Sequence, residues 1–167
     1  MRPEPIGASA ASIAGIAGIS VPADTRLLLL KGDFEHQDTV LRKEKLSPVA
    51  LVYAYERFED ALAVAHANLS LIGKGHSAVI HSTDAQRIEQ VGATLPVSRV
   101  IVNQACNFTT GGAFSIAFTP TTTLGCGFLG NTLLGENLTY KHLMNVTRIG
   151  YPLEGRRPTS EEIWALE

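Results

Sequence analysis

Four short runs of nearly unbroken apolar residues punctuate this chain, with helical-period segments between them. The runs are Thr25-Arg26-Leu27-Leu28-Leu29-Leu30, Val49-Ala50-Leu51-Val52-Tyr53-Ala54-Tyr55, Ala78-Val79-Ile80-His81-Ser82 and Arg99-Val100-Ile101-Val102-Asn103. A strand that is apolar at consecutive positions expects cover on both faces, the situation of a parallel sheet. After the second run, Phe58, Leu62, Ala65 and Leu69 recur at spacings of three and four and mark a helix. After the third, Thr83 with Gln86 makes a capping-box start for a helix through Ile88 and Val91. Ahead of them all, Ile6, Ile13, Ile16 and Ile19 predict a helix over Ile6–Ile19, with small residues that allow close packing. Ser20-Val21-Pro22 is expected to end it, because proline disfavours a helical residue before it. Alternation of this kind implies an α/β fold of three layers, α/β/α, around a mostly parallel sheet joined by right-handed crossovers. The polar stretch Lys31–Lys45 should be solvent-exposed, and no internal repeat is visible.

At 167 residues the chain is one domain, or one piece of a larger one. Charged residues make up only 18%, so much of the surface expects to be buried and intrinsic disorder is excluded. A net charge of −2 offers no electrostatic reason to bind nucleic acid or an anionic membrane. No stretch reaches the roughly 18 consecutive apolar residues of a spanning helix. The uncharged segment Pro5–Ala23 superficially resembles a secretory signal, but Glu4 and its Ala/Gly/Ser composition argue against one. Cys106 and Cys126 form no CxxC, and reduced thiols in a cytoplasmic setting are the expectation. The histidines, His36, His66, His76, His81 and His142, show no HxH or HExxH spacing, so no metal site is expected.

From Val100 to Gly135 run thirty-six residues without a charge, rich in Thr, Gly and Phe. Uncharged, glycine-rich backbone suits a segment buried against a ligand, where its amides must find partners, and equally an arm that joins subunits. Within it, Gly125-Cys126-Gly127-Phe128-Leu129-Gly130 spells GxGxxG. The dinucleotide fingerprint needs a strand before, a helix after and an acid roughly twenty residues on. Here Pro120 and three threonines precede it and only Glu154 lies at a plausible distance, so a tight glycine bend walling a pocket is the better reading. Cys126 between two glycines is sterically open, as a reactive thiol must be, but a small buried thiol is the better reading. His76, in Gly73-Lys74-Gly75-His76, reads as a hydrogen-bonded structural histidine at a strand start, and His66 as solvent-facing. Glu44 reads as a solvated carboxylate that could alternatively accept two hydroxyl hydrogen bonds from a sugar. Glu136 is expected to open a helix over Asn137–Val146, and Thr159 with Glu162 to cap a short terminal helix docked through Trp164.

In order, Phe58-Glu59-Asp60-Ala61, Gly75-His76-Ser77, Arg99–Asn103, Thr123-Leu124-Gly125-Cys126-Gly127 and Glu136-Asn137 with Lys141-His142-Leu143 resemble the aldehyde dehydrogenase superfamily. Within it the chain looks most like the CoA-acylating branch, which includes acetaldehyde, succinate-semialdehyde and sulfoacetaldehyde dehydrogenases. Glu44-Lys45-Leu46-Ser47-Pro48 looks like that branch's form of the superfamily's Glu-x-x-x-Pro motif. The resemblance spans roughly residues 6–150. It implies oxidation of an aldehyde to acyl-CoA with NAD or NADP as co-substrate and coenzyme A as acyl acceptor, without a metal. It implies that Glu44 holds the nicotinamide ribose and that Thr123, Leu124, Gly125, Cys126 and Gly127 wall the substrate pocket, continued by Asn131 and Glu136.

The resemblance also implies what is missing. The family's nucleophilic cysteine lies in a motif upstream of the helix matched by Ile6–Ile19, and neither Cys106 nor Cys126 occupies a matching position. No catalytic residue is therefore assigned here. Residues 1–150 are read as the C-terminal portion of the catalytic domain with its oligomerisation segment, and 151–167 as a polar tail. The expected partners are an aldehyde, CoA, and the missing N-terminal half or full-length subunits, in a homo-oligomer free in the cytoplasm or housed in a bacterial microcompartment. Two rival readings stand beside this one. One is a truncated, non-catalytic paralogue serving as an oligomerisation or interaction module, and the other, ranked last, is a small dinucleotide binder built on Gly125–Gly130.

Overall fold

A computed structural model of the chain describes residues 5–34, 39–152, 155 and 158–165. Its elements run α1 (Ala10–Ile16), β1 (Leu28–Lys31), α2 (Thr39–Arg42), β2 (Val49–Val52), α3 (Phe58–Leu71), β3 (Ser77–Ile80), α4 (Ala85–Thr94), β4 (Arg99–Val102), α5 (Cys106–Thr109) and α6 (Ser160–Trp164). Two 3₁₀ turns, Phe128–Gly130 and Tyr140–Leu143, lie between the last two helices. The strands are parallel, as the apolar runs require: β1 with β2, Leu28 beside Val49, and β3 with β4, Ser77 beside Arg99. The α/β class therefore holds. The continuous sheet does not form among the described residues, where the strands make two separate two-stranded sheets.

The core lies between α3, α4 and one face of the β3–β4 pair. Leu62, Ile80, Val91 and Leu95 are buried there, with Phe58, Ile88, Val100 and Val102 packed around them. Strand alternation sends Arg99 and Ile101 to the opposite face, and both are buried as well, Ile101 completely. What covers that second face is the uncharged segment after β4. The outer layer there is irregular backbone where a helix was expected.

Several boundaries differ from the sequence expectation, each for a local reason. Helix α1 is shorter than Ile6–Ile19 and ends before Pro22. Ile19 N–H donates to the Ala14 carbonyl (2.8 Å) and Gly18 N–H to that of Gly15 (3.0 Å), with Gly18 at φ +72°, a Schellman stop. It buries its small face, Ala10 and Ala14, and leaves Ile16 and Ile19 exposed. Helix α4 is capped by Asp84, not Thr83: the carboxylate accepts from the N–H groups of Gln86 (3.0 Å) and Arg87 (3.3 Å). The expected helix over Asn137–Val146 is absent; its first residues are extended and only Tyr140–Leu143 coils, as a 3₁₀ turn. Helix α6 starts on the expected box, Thr159 N–H to Glu162 and Glu162 N–H to Thr159. It is not docked through Trp164, which is 77% exposed. The described part of Lys31–Lys45 is largely exposed; Gly32, Lys45 and Arg42 are half-buried, and Arg42 Nε donates to Asn68 at 2.6 Å. His36 and Glu154 lie outside the described residues.

Candidate functional site

The GxGxxG segment forms a hairpin, not a βαβ turn. Residues 123–127 run antiparallel to 134–138: Leu138 N–H donates to Thr123 O (3.0 Å), Gly125 N–H to Glu136 O (3.0 Å) and Gly127 N–H to Leu134 O (2.6 Å). The arms approach so closely that a Cβ on Gly125 would stand 2.2 Å from the Leu134 carbonyl oxygen. This pairing claims the backbone of Glu136, Asn137 and Leu138 and explains why no helix begins there. The fingerprint loses both its strand and its helix.

Two strand starts hold the hairpin in place. The loop before β3 lays Gly75 (φ +79°) directly on the Cys126 carbonyl, where a Cβ would come within 2.1 Å of the oxygen. Gly75 itself is tied to Pro96 O (2.8 Å), and His76, next in the chain, is exposed. The start of β4 reaches from the other side. Arg99 Nη2 donates to Gly125 O (2.8 Å) and Arg99 Nε to Asn137 Oδ1 (2.9 Å), while Ser98 Oγ makes a longer contact with Cys126 O (3.4 Å). Asn137 Nδ2 donates in turn to Thr119 O (2.7 Å) and Thr110 O (3.1 Å), pinning the loop that leads into the hairpin.

At the foot of the second arm, Thr139 N–H donates to His142 Nδ1 (2.9 Å) and His142 Nε2 lies 2.9 Å from Glu136 Oε1. A backbone N–H only donates, so Nδ1 accepts and the ring proton sits on Nε2, facing the carboxylate.

The hairpin's chemistry follows from this accounting. The N–H groups of Gly125, Cys126 and Gly127 all bond within it, Cys126 to Thr132 Oγ1 at 3.0 Å. None of these three is left to stabilise a developing oxyanion, so the glycine-flanked cysteine can wall a pocket but does not polarise a substrate through its own or its neighbours' backbone N–H groups. Cys126 is half-buried and Cys106 likewise; both are free thiols. Burial pushes the Cys106 thiol above its ordinary range, so less of it is thiolate at neutral pH. Leu124 borders a groove of about 660 Å³ with Asn107 and Pro120. A separate cleft of about 630 Å³, lined by Phe34, Tyr53 and Tyr55, lies at the carboxyl ends of β1 and β2. Among the described residues no cluster of His, Cys, Asp and Glu could hold a metal ion.

Glu44 stands apart. It is exposed in the loop before β2, and among the described residues no hydrogen bond or ion pair joins it to the hairpin. That loop is bent at Leu46 (φ +49°), whose carbonyl accepts from Gly7 N–H (3.2 Å) and so ties it to the approach to α1.

A profile of the aldehyde dehydrogenase family matches residues 29–115, just over half of the chain. The chain belongs to the aldehyde dehydrogenase family. It is 48% identical over 160 residues to succinate-semialdehyde dehydrogenase (acetylating) of Clostridium kluyveri, an alignment that takes in 95% of this chain and 35% of that protein. Against sulfoacetaldehyde dehydrogenase of an Acholeplasma species it is 38% identical, over 98% of this chain and 34% of that protein. The fold matches the crystal structure of an acetylating aldehyde dehydrogenase from Geobacillus thermoglucosidasius with a TM-score of 0.80, at 31% identity, covering 93% of this chain and 34% of that one. The chain thus spans about a third of the length of the curated relatives it matches.

Within this family frame, the structure brings together Thr123–Gly127 with Ser98, Arg99 and the Gly75-His76 loop. The sequence singled out the turn as a site but assigned no role to Arg99, Asn137 or Thr132, although Arg99 and Asn137 lie in segments that carry the family resemblance and Arg99 is the charged residue opening an otherwise apolar strand.

Proposed function

We propose that this chain is a segment of a CoA-acylating aldehyde dehydrogenase, the part that shapes the substrate pocket and not the part that attacks the aldehyde. The observation that carries the reading is 48% identity to an acetylating dehydrogenase along 95% of the chain. The reaction is aldehyde, CoA and NAD(P)+ going to acyl-CoA, NAD(P)H and a proton. A nucleotide co-substrate accepts the hydride, and the CoA thiol takes the acyl group from the enzyme's cysteine. This chain's residues bind and orient. The exposed Glu44 carboxylate, with no ion pair among the described residues, has both oxygens open to ribose hydroxyls. The Thr123–Gly127 turn supplies a rigid wall, and His76 stands exposed beside it. Neither Cys106, held as a thiol, nor Cys126, whose own N–H and those of Gly125 and Gly127 are bonded within the hairpin, is the nucleophile. That cysteine belongs to polypeptide outside this sequence.

The second reading, an oligomerisation or interaction module, draws support from Phe114, Phe128 and Leu133, which stand almost wholly in solvent. The mass of the native gene product separates the two. If 17.9 kDa is about a third of the enzyme, the native subunit should be near ~50 kDa, a protein of several domain-sized pieces. A native species at 17.9 kDa that forms no NADH with CoA and aldehyde, even when co-produced with the remaining part of an acetylating relative, overturns the enzymatic reading.

A further inference from the structure

We propose that Arg99 is a positioning residue: its buried guanidinium sets the place of the Gly125–Gly127 backbone and thereby the wall of the pocket. The inference rests on the reading that this turn lines the pocket. Arg99 is 5% exposed, and among the described residues no carboxylate pairs with it. Its hydrogen-bonding partners are neutral, Gly125 O at 2.8 Å and Asn137 Oδ1 at 2.9 Å. Removing a guanidinium from water is costly, and partial charges on two oxygens offset this poorly. An apolar residue at the start of β4 would serve burial better, so what Arg99 contributes is geometry.

The planar fork explains which geometry. Donors fixed on one rigid plane hold two acceptors at a set separation, which a lysine ammonium on a flexible stem does not do. One acceptor belongs to the first arm of the hairpin and the other to the second. Arg99 therefore fixes the spacing of the arms and their height above β4. Ser98 holds the next carbonyl, Cys126 O, from the same strand start. Asn137 keeps its own bonds to Thr110 O and Thr119 O, so loosening Arg99 frees the Gly125–Cys126 side and leaves the Thr110 side, next to α5 and Cys106, in place.

The two free cysteines make the test internal to the chain. Iodoacetamide alkylation of the full chain, resolved by peptide mass spectrometry, reads each thiol separately. In Arg99→Met and Arg99→Lys, Cys126 should be alkylated about tenfold faster than in the wild type, the scale of losing a charged hydrogen bond, with the Cys106 rate unchanged. Unchanged Cys126 reactivity in either variant, or parallel rises at both cysteines, overturns the proposal. The Lys variant keeps the charge and gives an independent reading if Arg99→Met fails to fold. In enzyme reassembled with the remaining part of an acetylating relative, Arg99→Lys should raise KM for the aldehyde severalfold more than it lowers kcat. If Cys126 is freed and KM does not move, Arg99 positions the turn as proposed, and it is the pocket-wall reading that fails.

Discussion

A methyl group added at Gly75 would collide with backbone; at Gly92 it would meet open space. Gly75 sits at φ +79° with the Cys126 carbonyl oxygen 2.1 Å from a would-be Cβ, so the added methyl meets both a left-handed backbone and an immovable neighbour. Gly75→Ala should destabilise the chain by ~2 kcal/mol or more. Gly92 lies inside α4 with nothing within 4 Å of a would-be Cβ, and Gly92→Ala should stabilise by ~0.5–1 kcal/mol through helix propensity. Urea titrations of the two variants should shift their midpoints in opposite directions, and a shared direction would contradict these environments. In the sequence both are simply glycine, one in a visible bend and one in a visible helix. The contact that makes Gly75 irreplaceable comes from Cys126, far along the chain, and no local pattern records it. Arg99 was hidden in the same way: its charge is plain in the sequence, but its neutral partners arrive only with the hairpin.

Elements were legible where the information that makes them is local. The Thr159–Glu162 box was readable because both partners lie within one helical turn. The apolar runs gave four strands and their parallel sense because cover on both faces leaves a continuous hydrophobic signature. The start of α4 shows the limit. Thr83 and Asp84 are both competent caps, and which one wins depends on where the chain leaves β3. Ser82 Oγ accepts from Asp84 N–H at 3.0 Å, and Ser82 N–H is itself held by Asn103 Oδ1 at 2.9 Å, which swings the Asp84 carboxylate over the helix end. Asp84→Ala should therefore cost ~1 kcal/mol, and Thr83→Ala little, in thermal denaturation of the full chain. Equal losses would mean that the capping residue alternates. The region after Glu136 failed for the opposite reason. Its helical pattern is real, but Thr123, Gly125 and Gly127 take its backbone into a hairpin whose other arm no helix template contains.

The whole molecule exposes 13050 Å², whereas a compact monomer of 17.9 kDa would expose about 8,000 Å². The excess is of the size buried in large obligate interfaces, and its composition agrees: Leu29 and Val52 on the β1–β2 pair, Ile16 and Ile19 beside α1, and Phe114, Phe128 and Leu133 on the uncharged segment all face water. Low charge in the sequence announced this surplus of surface seeking cover. It could not say how the sheet is divided, because a strand's own pattern shows that it is covered without naming its lateral neighbour. Among the described residues the strands make two separate parallel pairs. Such a chain should self-associate, since the exposed apolar side chains of the β1–β2 pair and the exposed Phe114 and Phe128 find cover in a second copy. Phe128 and Leu133 are 93% and 105% exposed, so they contribute almost nothing to the fold of one copy. Phe128→Ser with Leu133→Ser should lower the weight-average mass in sedimentation at a given concentration while leaving the urea midpoint of the dilute chain unchanged. Association that persists undiminished would move the sticky surface to the β1–β2 pair, and a lowered midpoint would mean that these side chains pack within the single copy after all.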